Sequence, residues 1–205
     1  MKLYWSSRSP FVRKVMVVAH ELDLAGKITC ERVVVSAVKP NTDVMAHNPL
    51  AKLPTLILDD GSALYDSRVI CEYLASLKPQ LRLFPEAGAQ RWSALRQQAR
   101  ADGLMDTLLV WLMERAKPDE QQQAVLIEGC RMKLRAVLDA MEKDADGLER
   151  AAFGIGHIAT GVALSYVDFR FAAETWRQGR PKLAGWHAPF AQRPSMTATE
   201  HVDVY

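Results

Sequence analysis

The sequence predicts a small mixed α/β domain followed by an all-helical domain. Three observations carry this: hydrophobic periodicity alternates between strand and helix over the first 78 residues, a Pro/Gly-punctuated stretch interrupts the chain at 79–88, and no strand pattern follows it. Lys2 to Trp5 is short, apolar and aromatic, as a buried strand is, and Phe11, Val15, Val18 and Leu22 then recur at helical spacing up to a stop at Gly26. Ile28 to Val35, with its β-branched Val33-Val34-Val35 run, suits a second strand, and Thr42 to Ala46 a short helix before Asn48-Pro49. Thr55 to Leu58 is an apolar strand, Asp59-Asp60-Gly61 has hairpin-turn chemistry, and Ser62 to Tyr65 is the partner strand. Ser67 is placed to cap a helix whose apolar face is Ile70, Tyr73, Leu74 and Leu77. The first domain therefore reads βαβαββα over residues 1–78.

Residues 79–88 form the linker, and the helical domain occupies 89–205. One long stripe runs through Trp92, Leu95, Ala99, Leu104, Leu108 and Leu112, and another through Ile127, Cys130, Leu134, Val137 and Met141. A third helix, from about Ile155 to Ala173, is apolar on most sides and belongs at the centre of the bundle. A short helix over Pro181 to Phe190 precedes an irregular end.

Composition narrows the function. The 205 residues are 49% hydrophobic and 24% charged, so global disorder is excluded. With 26 basic against 24 acidic residues, the chain lacks the basic stripe that a phosphate backbone requires, and nucleic acid is not an expected partner. No apolar run approaches the roughly 20 residues that span a bilayer, and no secretory leader is evident, so no membrane partner and a cytoplasmic location are expected. Cys30, Cys71 and Cys130 have neither disulfide nor metal-ligand spacing, and His20, His47, His157, His187 and His201 form no ligand pattern. No metal is expected, and the absence of a Gly-rich phosphate loop argues against nucleotide binding.

Three junctions could carry chemistry. Ser9-Pro10 opens the first helix: proline at the first helical position makes Ser9 the natural N-cap, with its hydroxyl where free amides and the positive dipole end converge. Taken alone it is an ordinary cap. In Lys52-Leu53-Pro54-Thr55 a proline stands at a strand start, and a cis Leu53-Pro54 bond would turn the Leu53 backbone outward for pairing with an extended peptide. A simple strand-entry proline is the plainer reading. Asp66-Ser67 at a strand-to-helix junction offers a carboxylate for an ammonium group and a hydroxyl plus helix amides for a carboxylate, which suits an α-amino-acid end. Its plainer reading is again a cap.

Together, at matching junctions of one βαβαββα unit ahead of a helical domain, these features resemble the glutathione S-transferases over essentially the whole chain. The resemblance rests on Ser9-Pro10-Phe11-Val12-Arg13, Asn48-Pro49-Leu50-Ala51-Lys52-Leu53-Pro54, the Asp59-Asp60-Gly61 turn, and Asp66-Ser67 followed by Ile70, Tyr73 and Leu74. The Ser9 segment is similar to the Cys-Pro-Phe-x-x-Arg segment of omega-type members with serine in the cysteine's place, as in small bacterial serine-bearing members. The resemblance implies a thioredoxin-like first domain and glutathione as co-substrate, with no further cofactor. It implies Ser9 facing the thiol, Leu53 with Pro54 pairing with the cysteinyl backbone, and Asp66 with Ser67 holding the γ-glutamyl end. Ser6 and Ser7 remain alternatives for the thiol. Lys39 and Lys52 are candidates for the glycyl carboxylate. Asp102 is a candidate to reach the γ-glutamyl group across a homodimer, against the alternative of an ordinary surface carboxylate.

Serine donates rather than accepts the proton, so Ser9 is expected to stabilise a thiolate, and conjugation to a small hydrophobic electrophile is the leading activity. The alternatives are a glutathione-dependent isomerase, dehalogenase or peroxidase, and a non-catalytic glutathione-binding interaction protein. Trp5, Met105 and Trp111 are candidate walls for the electrophile, although core packing explains them as well. Relatives commonly start the central helix with a Ser/Thr-x-x-Asp box, where this chain has Gly154-Ile155-Gly156-His157. A protonated His157 would oppose the helix dipole, so Gly154→Ser with His157→Asp is expected to stabilise the protein.

Overall fold

The computed structural model describes residues 1–36 and 38–203. Four strands form one sheet in the order β2-β1-β3-β4: β1 (Lys2–Trp5), β2 (Thr29–Arg32), β3 (Thr55–Ile57) and β4 (Ala63–Leu64). β2 is parallel to β1, whereas β3 is antiparallel to both β1 and β4. The carboxyl ends of β1, β2 and β4 and the amino end of β3 therefore share one end of the sheet. Tyr4 and Ile57 pack with Val44 of α2 (Thr42–Met45) on one face. Leu3 and Leu56 point to the opposite face, the side of α1 (Pro10–Glu21) and α3 (Ser67–Ser76), which pack on each other.

Several boundaries differ from the sequence reading. α1 stops at Glu21 rather than Gly26, because Asp23 takes a left-handed conformation and the Leu24 amide turns back to the Ala19 carbonyl. β2 ends at Arg32 because β1, its only strand neighbour among the described residues, ends at Trp5. One more bond, Val33 N–H to Trp5 O, closes the pairing, and Val33 and Val35 pack instead against the Tyr4 cluster. The cap of α3 is Asp66, not Ser67: Asp66 has extended backbone and its Oδ1 accepts from Arg68 N–H at 2.9 Å, which makes Ser67 the first helical residue.

The described residues divide into two compact units, one of 1–86 with 194–203 and one of 87–193. The sequence reading assigned everything beyond 88 to the helical domain, but the final segment belongs with the sheet. A short α8 (Pro194–Thr197) packs on α1, with Arg13 donating to Met196 O at 3.1 Å and the Ser195 hydroxyl to Glu21 at 2.5 Å. The second unit contains α4 (Gly88–Arg115), α5 (Ala124–Arg150), α6 (Ile155–Phe171) and α7 (Pro181–Ala191). α4 packs on both α5 and α6, and α6 is the most buried helix, as its apolar content predicts. Gly161 on α6 lets Phe190 of α7 approach, since a Cβ there would fall 2.0 Å from the ring. α7 has no cap of its own; the Glu142 carboxylate of α5 accepts from Lys182 and Leu183 N–H at 3.2 and 2.7 Å.

The start of α6 corrects the expectation for His157. Its Nε2 lies 2.8 Å from the Leu148 carbonyl, which can only accept, so that nitrogen carries the proton and Nδ1 accepts from Gly154 N–H at 3.2 Å. A neutral imidazole thus does the acidic residue's half of the capping box, and burial holds its pKa below the usual histidine value. His157→Asp would lose the Leu148 bond, so the double substitution is no longer expected to stabilise. No helix of the described residues is long and apolar enough to cross a membrane.

Candidate glutathione site

The junctions singled out in the sequence meet at the sheet end described above. The turn after β1 is closed by Ser9 N–H to Ser6 O at 3.2 Å, and Ser9 caps α1 by accepting from Val12 N–H at 3.3 Å. That bond uses a lone pair of the hydroxyl, and its proton has no partner among the described residues. Ser6 likewise only accepts, from Arg8 N–H at 3.4 Å, whereas the Ser7 hydroxyl is committed as a donor to Val202 O at 2.8 Å. Of the three serines, Ser6 and Ser9 keep a hydroxyl proton that no described residue accepts.

One strand away, Tyr4 pairs with Thr55, directly after a cis Leu53-Pro54 bond. The flanking backbone is held by Asn48, whose amide donates to Lys52 O and Thr55 Oγ1 at 3.3 and 2.9 Å. Leu53 N–H and C=O make no hydrogen bond to any described residue. On the other side of β3, Leu64 pairs with Leu56, and the chain passes through a cis Tyr65-Asp66 bond into α3. Asp66 is exposed, while Ser67 is buried with a hydroxyl that makes no hydrogen bond to the described residues.

A donor at a helix start, an unpaired peptide unit, and a carboxylate beside a helix amide therefore stand in strand order β1, β3, β4. Such a row can hold an extended peptide with a free α-amino-acid end. Lys52 beside Leu53 and Lys39 in the loop after β2 are both exposed. Asp102 departs from both of its readings: it lies on α4, is 1% exposed, and has a partner within the chain. It is neither an open surface carboxylate nor one free to reach outward. Met105 and Trp111 are buried core residues, while Trp5 is half-buried.

Comparison with known proteins identifies the family. Residues 8–77 match the family model for the glutathione S-transferase N-terminal domain, and residues 122–188 that for the C-terminal domain. A GST-like protein of Escherichia coli K12, YibF, itself uncharacterised, is 32% identical over 98% of both chains. The chain belongs to the glutathione S-transferase family. Among solved members, one from Pseudomonas fluorescens Pf-5 with bound glutathione is 38% identical over 98% of both chains, with a TM-score of 0.95. Another, from Methylobacillus flagellatus KT with glutathione bound, is 36% identical over 98% of this chain and 99% of the other, with a TM-score of 0.87.

Two features of this glutathione S-transferase lay outside the sequence reading. Arg13 is 8% exposed and clasps Met196 O, and burial pushes its guanidinium pKa down to about 10 while Glu200 pulls the other way. The segment 201–203 also straps the turn after β1: besides the Ser7–Val202 bond, His201 Nδ1 lies 3.1 Å from Ser7 O, and Arg8 pairs with Asp203 at 3.9 Å. The Arg13, Met16, His20 stripe at helical spacing is the signal that could have pointed to a tail packed on α1.

Proposed function

We propose that this protein binds glutathione along the open sheet end and holds its sulfur as a thiolate for attack on a small hydrophobic electrophile. The supporting observation is the row of unpaired groups at Ser9, Leu53 and Ser67, in the order in which the tripeptide presents its thiol, cysteinyl backbone and γ-glutamyl end. Leu53 N–H and C=O pair with the cysteinyl unit. Asp66 takes the ammonium group, and Ser67 takes the α-carboxylate through its hydroxyl and the first amides of α3. Lys52, with Lys39 further along the sheet end, draws the glycyl carboxylate. The assembly is a homodimer in a cytoplasmic setting, which accords with Cys30, Cys71 and Cys130 not being joined in disulfides.

The chemistry follows from ionisation. A free thiol of pKa about 8.5 is only about 3% thiolate at pH 7, and the thiolate is the nucleophile. A hydrogen bond to a charged group contributes about 1.5–3 kcal/mol and a helix amino terminus about 0.3–1 kcal/mol, enough together to lower that pKa by about one to three units. Ser9 can supply the first and α1 the second. The Ser9 proton stays on its oxygen throughout. The sulfur lone pair forms the new bond to the electrophilic carbon, and the leaving group departs with the old one.

The test is calorimetric titration of glutathione, followed by conjugation of an aryl halide. Saturable binding and turnover are expected. Failure of glutathione to bind overturns the reading, and binding without turnover across a broad electrophile panel reassigns the protein to the non-catalytic class.

A further inference from the structure

Two sulfur-bearing side chains from different elements of the first unit meet beside the edge of its sheet. Cys30 stands on the edge strand β2 in register with Leu3, so its side chain points, like that of Leu3, to the face covered by α1. There the Cys30 Sγ lies 3.8 Å from the Met16 Sδ. His20 follows Met16 by one turn on the same side of α1, and all three side chains border one concavity. Met16 is half-buried, and Cys30 and His20 are exposed, so the group is open to solvent. Ser9, Leu53, Asp66 and Ser67 do not line this concavity.

The arrangement suits one kind of metal ion. A metal–thiolate bond is about 2.3 Å long, so two sulfurs held 3.8 Å apart subtend about 110° at an ion bound to both. That angle belongs to a three- or four-coordinate centre and leaves a position for the imidazole one turn along α1. Among the described residues no three His, Cys, Asp or Glu side chains stand together as a metal-holding group, so the sets that retain Zn2+ or Ca2+ are missing. A thiolate, a thioether and an imidazole are instead the soft donors that select Cu(I). Charge points the same way. The thioether and the neutral imidazole bring none, and Cys30 releases its thiol proton to solvent as the sulfur–metal bond forms. A monovalent ion replaces that proton and leaves the charge of the site as it was, whereas a divalent ion adds charge where the Cys30 thiolate is the one anionic ligand.

We propose that Met16, Cys30 and His20 form a binding site for a single Cu(I) ion, which clips α1 to the edge strand β2. Neither the cysteine nor the histidine spacing signals it, because the ligands come from two elements and one of them is a methionine. The site does not depend on the glutathione assignment.

Anaerobic titration of the full chain with Cu(I), in competition with bicinchoninate, tests it, and redox-inert Ag(I) serves as the probe for NMR of the methionine methyl groups. One Cu(I) per chain is expected, and Ag(I) should shift the methyl resonance that Met16→Leu removes. Cys30→Ser should abolish this binding, while Met16→Leu and His20→Gln should each weaken it by about tenfold or more. Cys71 and Cys130 are buried, so Cys30→Ser separates this site from thiol binding elsewhere. No Cu(I) bound by the wild type, full binding retained in Cys30→Ser, unchanged affinity in Met16→Leu or His20→Gln, or an unshifted Met16 methyl overturns the proposal. Should Met16→Leu not fold, Cys30→Ser and His20→Gln, both at exposed positions, decide it.

Discussion

The Ser7 hydroxyl donates to the Val202 carbonyl at 2.8 Å, and Val202 N–H returns a 3.4 Å bond to Ser7 O. This pairing takes Ser7 out of contention as a thiolate donor, because its one hydroxyl proton is in use. Ser9→Ala is expected to raise the pKa of bound glutathione by about one to two units, and so to slow conjugation at neutral pH by about ten- to a hundredfold. Ser7→Ala should leave that pKa unchanged. The ultraviolet absorbance of the thiolate, followed against pH in both variants, checks this; a shift in Ser7→Ala but not in Ser9→Ala would reverse the assignment.

Asp66 caps α3, and the proposed function gives it a second job that one substitution can separate from the first. As N-cap it needs only an acceptor oxygen for Arg68 N–H, and asparagine keeps one. As the partner of an ammonium group it needs its charge. Asp66→Asn should therefore shift the urea midpoint little while weakening glutathione by about tenfold or more. Equal affinity would remove Asp66 from the site.

The folded state favours neutral His157, since protonating Nδ1 removes the acceptor for Gly154 N–H and places a charge in a buried site. Its folded pKa lies below the unfolded value of about 6.5, so the unfolded chain binds the extra proton first. Stability from this residue is intact above that value and is lost as pH falls through it, until the folded pKa is reached. Urea midpoints measured on either side of about pH 6.5 should show this loss in the wild type and a smaller loss in His157→Gln. An identical pH dependence in the two proteins would count against the neutral acceptor role.

Two Gly→Ala substitutions should have opposite signs. At Gly161 the new methyl would strike the Phe190 ring, and overpacking of this kind costs about 1–3 kcal/mol. At Gly147, exposed on α5 with nothing within 4 Å, alanine gains helix propensity and should stabilise by about 0.5–1 kcal/mol. Chemical denaturation of each variant checks both, and a stabilised Gly161→Ala would show that α6 and α7 yield where they meet.

What could be read from the sequence was what local chemistry decides. Ser9-Pro10, Leu53-Pro54 and Asp66-Ser67 are each a junction whose residue types restrict the backbone within a few positions, and the strand directions bring them to one end of the sheet. The illegible features depend on partners far along the chain. The length of β2 is set by where β1 stops, and the Val33-Val34-Val35 run cannot report that. The acceptor role of His157 needs the Leu148 carbonyl, and the burial of Asp102 and the attachment of residues 194–203 to the sheet unit have no local signature. Even a local reading could slip by one residue, as the cap of α3 did from Ser67 to Asp66, and where tertiary packing chose the partner the sequence carried no signal.

The discontinuity of the first unit carries a consequence for synthesis on the ribosome. The helical unit is one uninterrupted segment, whereas the sheet unit waits for α8 and the strap at 201–203, made after the helical unit. Vectorial translation thus allows the later-starting unit to finish first, inverting the usual amino-to-carboxyl order of domain maturation. Until that final stretch emerges, the nascent turn that carries Ser9 has no brace.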